Sequence, residues 1–285
     1  MGAWLKVAAV VAAVLLGGTA IAAATGALLW NRATDRLVRR LAAAPAGNGP
    51  ATYDPAGLEG LPAPVARYFQ RVLGPGQPMI RAARITHEGE FRTGLDARWS
   101  PFESVQHFTA VPPAFVWDAR IRVVPLTSVR VRDHYIGGRA AMLGKLAALI
   151  PVVDEEGGEE LASSALHRQL AERVWFPTSL LPSQGVRWEA VDDSTARASL
   201  TDSGITVSFT AHFGDDDLIR RVEMMRYRDV DGTGVLTPFI GHFRGYARVD
   251  GMLVPLEGET EWILPEGRFT FWKARITEAR YEFAR

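Results

Sequence analysis

The sequence predicts a mainly β protein of the α+β class: a large curved antiparallel sheet or half-barrel with about three helices, preceded by one transmembrane helix. Three observations predict this fold. An apolar run without charges lies near the N-terminus, apolar and polar residues alternate through much of the remaining chain, and turn residues separate the alternating segments at hairpin spacing.

The composition limits the classes of function. The chain has 285 residues, with 32 Lys and Arg against 32 Asp and Glu, so its formal net charge is zero. A balanced charge argues against nucleic-acid binding through bulk phosphate attraction. The chain contains no Cys, which excludes disulfides, thiol nucleophiles, Cys-ligated metals and a Cys lipid anchor. We expect no cofactor and no nucleic-acid partner.

Residues 1–40 are expected to form a transmembrane anchor with a basic flank. The charge-free run Val7–Trp30 would extend about 36 Å as a helix, which is enough to span a bilayer. Trp4 and Trp30 suit the two headgroup regions, and four arginines follow. A cleaved signal peptide with a small-residue exit at 20–24 is the alternative.

The sequence leaves the side of the membrane open. The four arginines after the apolar run outnumber Lys6 before it, and the positive-inside bias would keep the C-terminal domain in the cytoplasm. A likeness described below favours an extracytoplasmic domain instead. The absence of Cys suits both locations.

Residues 41–60 predict a flexible stalk, because Ala, Gly and Pro dominate there without periodicity. A single β-rich domain is expected over 61–285. It opens with a short amphipathic helix that Gly74 and Pro75 end.

Period-two alternation then predicts antiparallel strands before and after a helical interval. Dipeptides such as Asp250-Gly251 mark the two-residue turns between them. The apolar-side positions of three such segments are Ile85, His87, Gly89 and Phe91; Trp117, Ala119 and Ile121; and Leu256, Gly258, Thr260, Trp262 and Leu264.

The interval at about 139–182 is expected to be a helical plug over the sheet. Met142, Leu143 and Leu146 share one side of a predicted first helix, which Pro151 ends. The acidic run 154–160 precedes a second helix, because carboxylates stabilise a helix N-terminus. A cation site is the alternative interpretation of that run.

The segment Trp175–Pro182 follows the second helix. Its two prolines oppose regular structure while its large apolar residues require burial, so we expect it to cross the apolar face of the sheet. Ordinary core packing is one interpretation, and the lining of an apolar ligand pocket is the other. The candidate ligand-binding residues are Trp175, Phe176, Leu180, Trp188 and Trp262.

No motif supports catalysis or metal binding. The stretch Asp229–Thr233 spells the aspartyl-nucleophile signature of haloacid-dehalogenase-type phosphatases, but no strand–helix alternation surrounds it. Read as a calcium loop, it would have Ile240 at the position of the bidentate Glu. The histidines lack zinc spacing. We predict no catalytic and no metal-binding residues, and an enzymatic role is unsupported.

Several segments together resemble a bacterial family of unknown function that is common in actinobacteria. They are Leu61–Phe69, Leu170–Glu172, Trp175–Thr178, Leu180–Pro182, Trp188, Pro238–Tyr246, Gly251 and Val254–Pro255. The resemblance covers about residues 61–284, and it implies no catalytic residue because the family has none established.

A looser likeness, in the order helix, strands, helical plug, strands, is to periplasmic lipoprotein carriers and mycobacterial lipid-transfer lipoproteins. It implies a bent sheet around an apolar hollow, outside the cytoplasm.

The sequence therefore predicts a membrane-anchored, non-enzymatic protein that binds a lipid or another apolar ligand in a half-barrel cavity. Its expected partners are the membrane bilayer and an apolar small molecule. A membrane-attached hydrolase without a recognisable motif and a protein-interaction or assembly module are the alternatives.

Overall fold

The computed structural model describes residues 2–43, 47, 49–124 and 127–284, apart from the side chains of residues 12, 15, 16 and 124. Six strands precede the central helix: β1 (Ile80–Phe91), β2 (Ser100–Thr109), β3 (Ala114–Val124), β4 (Thr127–Ile136), β5 (Arg139–Leu146) and β6 (Ile150–Glu156). Seven follow it: β7 (Arg187–Ala190), β8 (Thr195–Asp202), β9 (Ile205–Phe213), β10 (Ile219–Val230), β11 (Thr233–Val249), β12 (Met252–Leu264) and β13 (Gly267–Phe283).

All 13 strands form one curled antiparallel sheet, in the order β6-β5-β4-β3-β2-β1-β13-β12-β11-β10-β9-β8-β7. Each neighbouring pair except β1 and β13 is consecutive in the chain. The sheet therefore consists of two meanders, a first arm (β1–β6) and a second arm (β7–β13), which join where the first strand pairs with the last. The predicted mainly β class with an antiparallel half-barrel is confirmed.

The predicted turn chemistry is also visible. Asp250 and Gly251 connect β11 to β12 with φ angles of 48° and 86°, and Asp231 and Gly232 connect β10 to β11 with 51° and 82°. Two successive positive φ angles define the reversed turn that matches the twist of a hairpin, and Gly adopts the second without steric strain. The phosphatase-like stretch is thus a hairpin tip.

In the described part of the chain, three α-helices accompany the sheet: α1 (Gly2–Ala42), α2 (Ala63–Val72) and α3 (Glu159–Ala171). Helix α2 covers one end of the concave face, where it buries Tyr68 and Phe69. The described residues also contain four short 3-10 helices, at Pro55–Leu58, Glu172–Trp175, Pro177–Leu180 and Pro182–Gln184.

Helix α3 lies over the concave face and contacts both arms. Its Arg168 forms an ion pair of 2.7 Å with Asp133 on β4, and its Ser164 hydroxyl donates to the carbonyl of Tyr227 on β10. Glu159 and Glu160 occupy its first turn, as the acidic run predicts. The second predicted helix is therefore confirmed.

The prediction of a first helix in the plug is wrong. Residues 139–146 and 150–156 form the hairpin of β5 and β6, so the acidic residues 154–156 belong to a strand. In β5, Met142 lies opposite Asp133 on the concave face, whereas Leu143 lies opposite Arg132 on the outer face. Apolar residues stand on both faces of this short strand, and their spacing imitates a helical stripe.

Helix α1 extends over 41 residues. Among the helices of the described part of the chain, none combines the length and the apolar character that crossing a membrane requires. The predicted transmembrane span is therefore not confirmed.

The C-terminal third of α1 lies on the outer face of the first arm. The Trp30 indole and the Thr34 hydroxyl both donate to Oδ2 of Asp118 on β3, at 2.7 and 2.6 Å. The guanidinium of Arg132 lies 4.5 Å from the Trp30 ring centroid. Further along, Leu41 packs with Val116 in a small outer core.

Part of the predicted stalk packs against the domain. Tyr53 is buried, its N–H donates to the carbonyl of Gln77 at 2.8 Å, and Asp54 caps the 3-10 helix that follows. Residues 44–46 and 48 of that stalk lie outside the described residues.

Candidate ligand-binding site

Aromatic rings from both arms meet at the centre of the concave face. Phe102 lies 6.1 Å from Trp117 and 5.9 Å from Trp272, and Trp272 lies 6.2 Å from Trp175, between ring centroids. The imidazole of His87 lies 5.0 Å from Trp175. We call these residues, His87, Phe102, Trp117, Trp175 and Trp272, the central cluster.

Strand alternation and one glycine place these rings. His87 and Trp117 occupy inward positions of β1 and β3, because every second residue of a strand faces the same side. Trp175 enters from the 3-10 helix after α3 and lies against Gly258 of β12. A Cβ at Gly258 would lie 3.0 Å from the Trp175 ring, so a larger residue there would push the indole away.

Four side-chain polar atoms in this region are buried and find no hydrogen-bond partner among the described residues. They are His87 Nε2, Trp117 Nε1, Trp175 Nε1 and Thr260 Oγ1. Thr260 lies opposite Trp272 in the pairing of β12 with β13. Each buried polar atom without a partner costs about 1–3 kcal/mol, so such a group of them calls for a complementary molecule.

His87 contributes a neutral imidazole. Burial, and secondarily the positive charge of Arg168, lower its pKa to about 3. Its Nδ1 lies 3.4 Å from the Ser104 hydroxyl. A neutral imidazole has one donor and one acceptor nitrogen, so the free Nε2 can complement a hydroxyl or a carbonyl group.

A second group of rings extends from the central cluster toward solvent. We call it the rim cluster, and it consists of Phe91, Phe239, Trp262, Phe269 and Phe271. Phe239 and Trp262 are buried, whereas Phe91, Phe269 and Phe271 are partly exposed. Trp272 of the central cluster is partly exposed as well. The rings on the concave face therefore form a continuous apolar surface. It extends from the partly exposed rim cluster to the buried polar atoms of the central cluster.

A network of charged residues lies beneath α3. Arg168 bonds Asp133 and Glu172, each at 2.7 Å, and its guanidinium lies 4.9 Å from the rings of Phe115 and Trp117. Because all three charges are paired, this network fastens α3 to the first arm.

The five residues predicted from the sequence divide into two groups. Trp175 lies in the central cluster and Trp262 in the rim cluster. Phe176, Leu180 and Trp188 lie together in the packed core: Phe176 stacks on Phe108 at 4.0 Å, and the Trp188 indole donates to the carbonyl of Leu180 at 2.9 Å.

His87, Trp117, Thr260 and Trp272 are not among the residues predicted from the sequence. A signal existed for the first three, since the alternation already places them on the apolar side of their strands. A histidine or a threonine at an inward position is a buried polar group that needs a partner.

The outer face holds a cleft of about 340 Å³ at the centre of the sheet. Four of its lining charges form two ion pairs: Lys273 with Glu90 at 2.8 Å, and Arg244 with Glu259 at 3.7 Å. Mutually neutralised, solvated pairs are typical of a sheet surface. Within the described residues, no group of three or more His, Asp or Glu side chains could hold a metal ion.

Residues 59–281 match a family described as a family of unknown function, DUF6920. The chain belongs to this family. The predicted resemblance to a family of unknown function is confirmed. No curated protein matches the DUF6920 chain in a comparison of sequences.

Solved structures that are similar to this DUF6920 protein include three from bacteria. A LolA superfamily protein from Nitrosomonas europaea shares 9% identity with a TM-score of 0.42, over 79% of this chain and 95% of the other. A putative outer membrane lipoprotein-sorting protein domain from Vibrio parahaemolyticus shares 12% with a TM-score of 0.42, over 79% and 93%. A DUF1329 family protein from Desulfovibrio piger shares 12% with a TM-score of 0.41, over 81% and 94%.

Proposed function

We propose that this protein binds a mainly apolar molecule, such as a lipid, on the concave face of its half-barrel, without covalent chemistry. The observation that carries the proposal is the set of four buried, unpartnered polar atoms among the rings of the central cluster. A ligand with an apolar body and a hydrogen-bonding group complements both the rings and these atoms.

The energetics favour such a ligand. Covering the partly exposed rings of the rim cluster contributes about 25 cal/mol for each Å² of apolar surface removed from water. The two indole N–H groups of the central cluster can only donate, so the ligand's polar group has to offer an acceptor oxygen.

The two carboxylates that bond Arg168 support binding rather than hydrolysis. Asp133 and Glu172 both accept hydrogen bonds from Arg168, and Glu172 also accepts one from Gln106. Carboxylates held in this way serve as ion-pair partners of α3, whereas a general base needs a geometry that reaches a substrate.

The proposal can be tested by titrating the full chain with monoolein below its aggregation concentration, with tryptophan fluorescence as the readout. We expect saturable binding, and we expect Trp272→Ala to weaken it about tenfold, because an aromatic side chain buries 150–250 Å² or so. Trp4→Phe, at a side chain that is 84% exposed on α1, is the control. Absence of saturable binding to the unmodified chain would overturn the proposal.

We also propose that the protein associates with a lipid surface through α1, with its domain outside the cytoplasm. Large apolar side chains on the N-terminal part of α1 are exposed, among them Val10 and Val14. Vesicle flotation of the full chain tests the association. The double variant Val10→Glu, Val14→Glu should lose it, whereas Val152→Glu, Val191→Glu, at two exposed valines of the domain, should keep it.

The side of the membrane can be tested by labelling. Because the chain has no Cys, one Cys introduced at the exposed Ser183 is the only thiol. Modification by an impermeant maleimide in intact cells is expected, and protection until lysis would contradict the extracytoplasmic location.

A further inference from the structure

Strand β10 carries two arginines beside α3 that form no ion pair with a carboxylate of the described residues. Arg226 lies opposite Thr237 and Arg228 opposite Val235 in an unbroken register with β11. Alternate residues of a strand face the same side, so both guanidinium groups emerge on one face, the side on which Arg226 meets α3 and the rim cluster.

Arg226 is held in place by its neighbours. Its Nε donates to the carbonyl and to the hydroxyl of Ser164 on α3, at 3.0 and 2.9 Å. Its guanidinium lies 5.1 Å from the ring of Phe239 and 5.8 Å from that of Trp262. The side chain is partly exposed, and among the described residues its two terminal amino groups have no hydrogen-bond partner and no carboxylate within 4.0 Å.

Arg228 has still fewer contacts. Its Nε is buried and unpartnered, and no described residue forms an ion pair or a ring contact with its guanidinium. By contrast, Arg168 in the same interior bonds two carboxylates. An anion that binds both guanidinium groups supplies the hydrogen-bond acceptors that their terminal amino groups lack among the described residues.

We infer that Arg226 and Arg228 bind the anionic headgroup of an amphiphile whose apolar tail lies along the rim cluster. This inference rests on the proposed function and adds to its ligand an anionic group beside the rim cluster, distinct from the acceptor oxygen that faces the central cluster. A carboxylate or a phosphate suits the site, because the planar guanidinium donates two parallel hydrogen bonds to either oxyanion. The aromatic faces beside Arg226 place the tail directly next to the headgroup.

The test compares three ligands that share one oleoyl tail with a free anion that has none. Calorimetric titrations of the full chain use oleate, oleoyl lysophosphatidate, neutral monoolein and inorganic phosphate. We expect both anionic amphiphiles to bind at least about tenfold more tightly than monoolein, as charge-assisted hydrogen bonds of this strength imply. Inorganic phosphate is expected not to bind at the same concentrations.

Two variants and a control assign the effect to the arginines. Arg226→Met and Arg228→Met should each reduce the affinity for oleate about tenfold or more and leave the affinity for monoolein within about twofold. Arg221→Met is the matched control, since Arg221 stands on the opposite face of the same strand and pairs with Glu223. Melting temperatures establish that each variant is folded.

The outcomes separate the two proposals. Equal affinities for oleate and monoolein, or variants that bind oleate like the unmodified chain, overturn the headgroup site and leave apolar binding intact. Phosphate that binds as tightly as lysophosphatidate overturns the headgroup assignment in favour of a free anion. Failure of every amphiphile to bind overturns the proposed function itself, and the inference with it.

Discussion

The phenol of Tyr135 donates a hydrogen bond of 2.6 Å to Oδ2 of Asp202, and this bond joins β4 of the first arm to β8 of the second arm. The turn after β4 contacts the turn after β8, and a Cβ atom added at Gly138 would lie 2.6 Å from the Cβ atom of Ser203. Burial and the bond to Asp202 raise the pKa of Tyr135. The open sheet is therefore closed at this end by side chains rather than by strand pairing.

Removal of this hydrogen bond should weaken the closure. Tyr135→Phe is expected to lower the free energy of unfolding by about 1.5–3 kcal/mol, the range for hydrogen bonds to charged groups. Urea denaturation measures the change. Tyr227→Phe is the control, because the Tyr227 hydroxyl makes no hydrogen bond within the described residues. Equal losses in both variants would contradict a role for the bond.

His87 should make the fold sensitive to acid. Because burial lowers the pKa of His87 to about 3, the unfolded chain takes up a proton near pH 6.5 that the folded chain does not. Unfolding free energy should therefore fall as the pH drops from about 6.5 to about 3, by up to about 1.4 kcal/mol per pH unit. His87→Gln should reduce this slope in pH-dependent urea denaturation.

Ser104→Ala separates titration from packing at this position. The variant keeps the imidazole of His87 and removes the hydroxyl beside it, so the acid sensitivity should persist. A slope that is unchanged in His87→Gln would show that other groups carry the acid sensitivity.

Arg173 should be essential for stability. Its fully buried guanidinium donates to the carbonyls of Ala110, Ser179 and Gln184, and so ties the last two 3-10 helices to the end of β2. Arg173→Met leaves three buried carbonyls without this donor, and we expect a loss of about 3–5 kcal/mol. The urea midpoint measures it, and Arg187→Met, at an exposed arginine, should be neutral.

The attachment of α1 should depend on Asp118. Asp118→Ala removes the acceptor of Trp30 and of Thr34, so amide hydrogen exchange over residues 30–41 should accelerate while the sheet stays protected. Glu103→Ala, at an exposed glutamate of the same outer face, is the control. Unchanged protection of α1 in Asp118→Ala would assign its attachment to the outer apolar core instead.

Much of the fold follows from local patterns. Alternation through Trp117 and Ile121 predicts β3, the Asp250-Gly251 dipeptide predicts its turn, and the acidic first turn predicts α3. The hairpin of β5 and β6 is not predicted, because Met142 and Leu143 are both apolar although they face opposite sides of a strand.

The residues of the candidate site are harder to predict from the sequence than the fold is. Trp175 and Trp188 are equivalent as aromatic residues in the sequence. In the described part of the structure, the Trp175 indole has no hydrogen-bond partner, whereas the Trp188 indole donates to Leu180. Whether Arg226 has a carboxylate partner depends on which side chains of α3, far away in the chain, lie beside it. Such pairings arise from long-range packing and leave no local pattern.

The pairing of β1 with β13, in which Ile85 stands opposite Ala279, sets the order in which this protein can be built. The two arms can pair only after the residues of β13 have left the ribosome, and until then each meander has a long unpaired edge. We therefore expect that this edge has to be shielded against aggregation while the chain is being synthesised. A truncation that removes β13 would remove the strand through which the two arms pair.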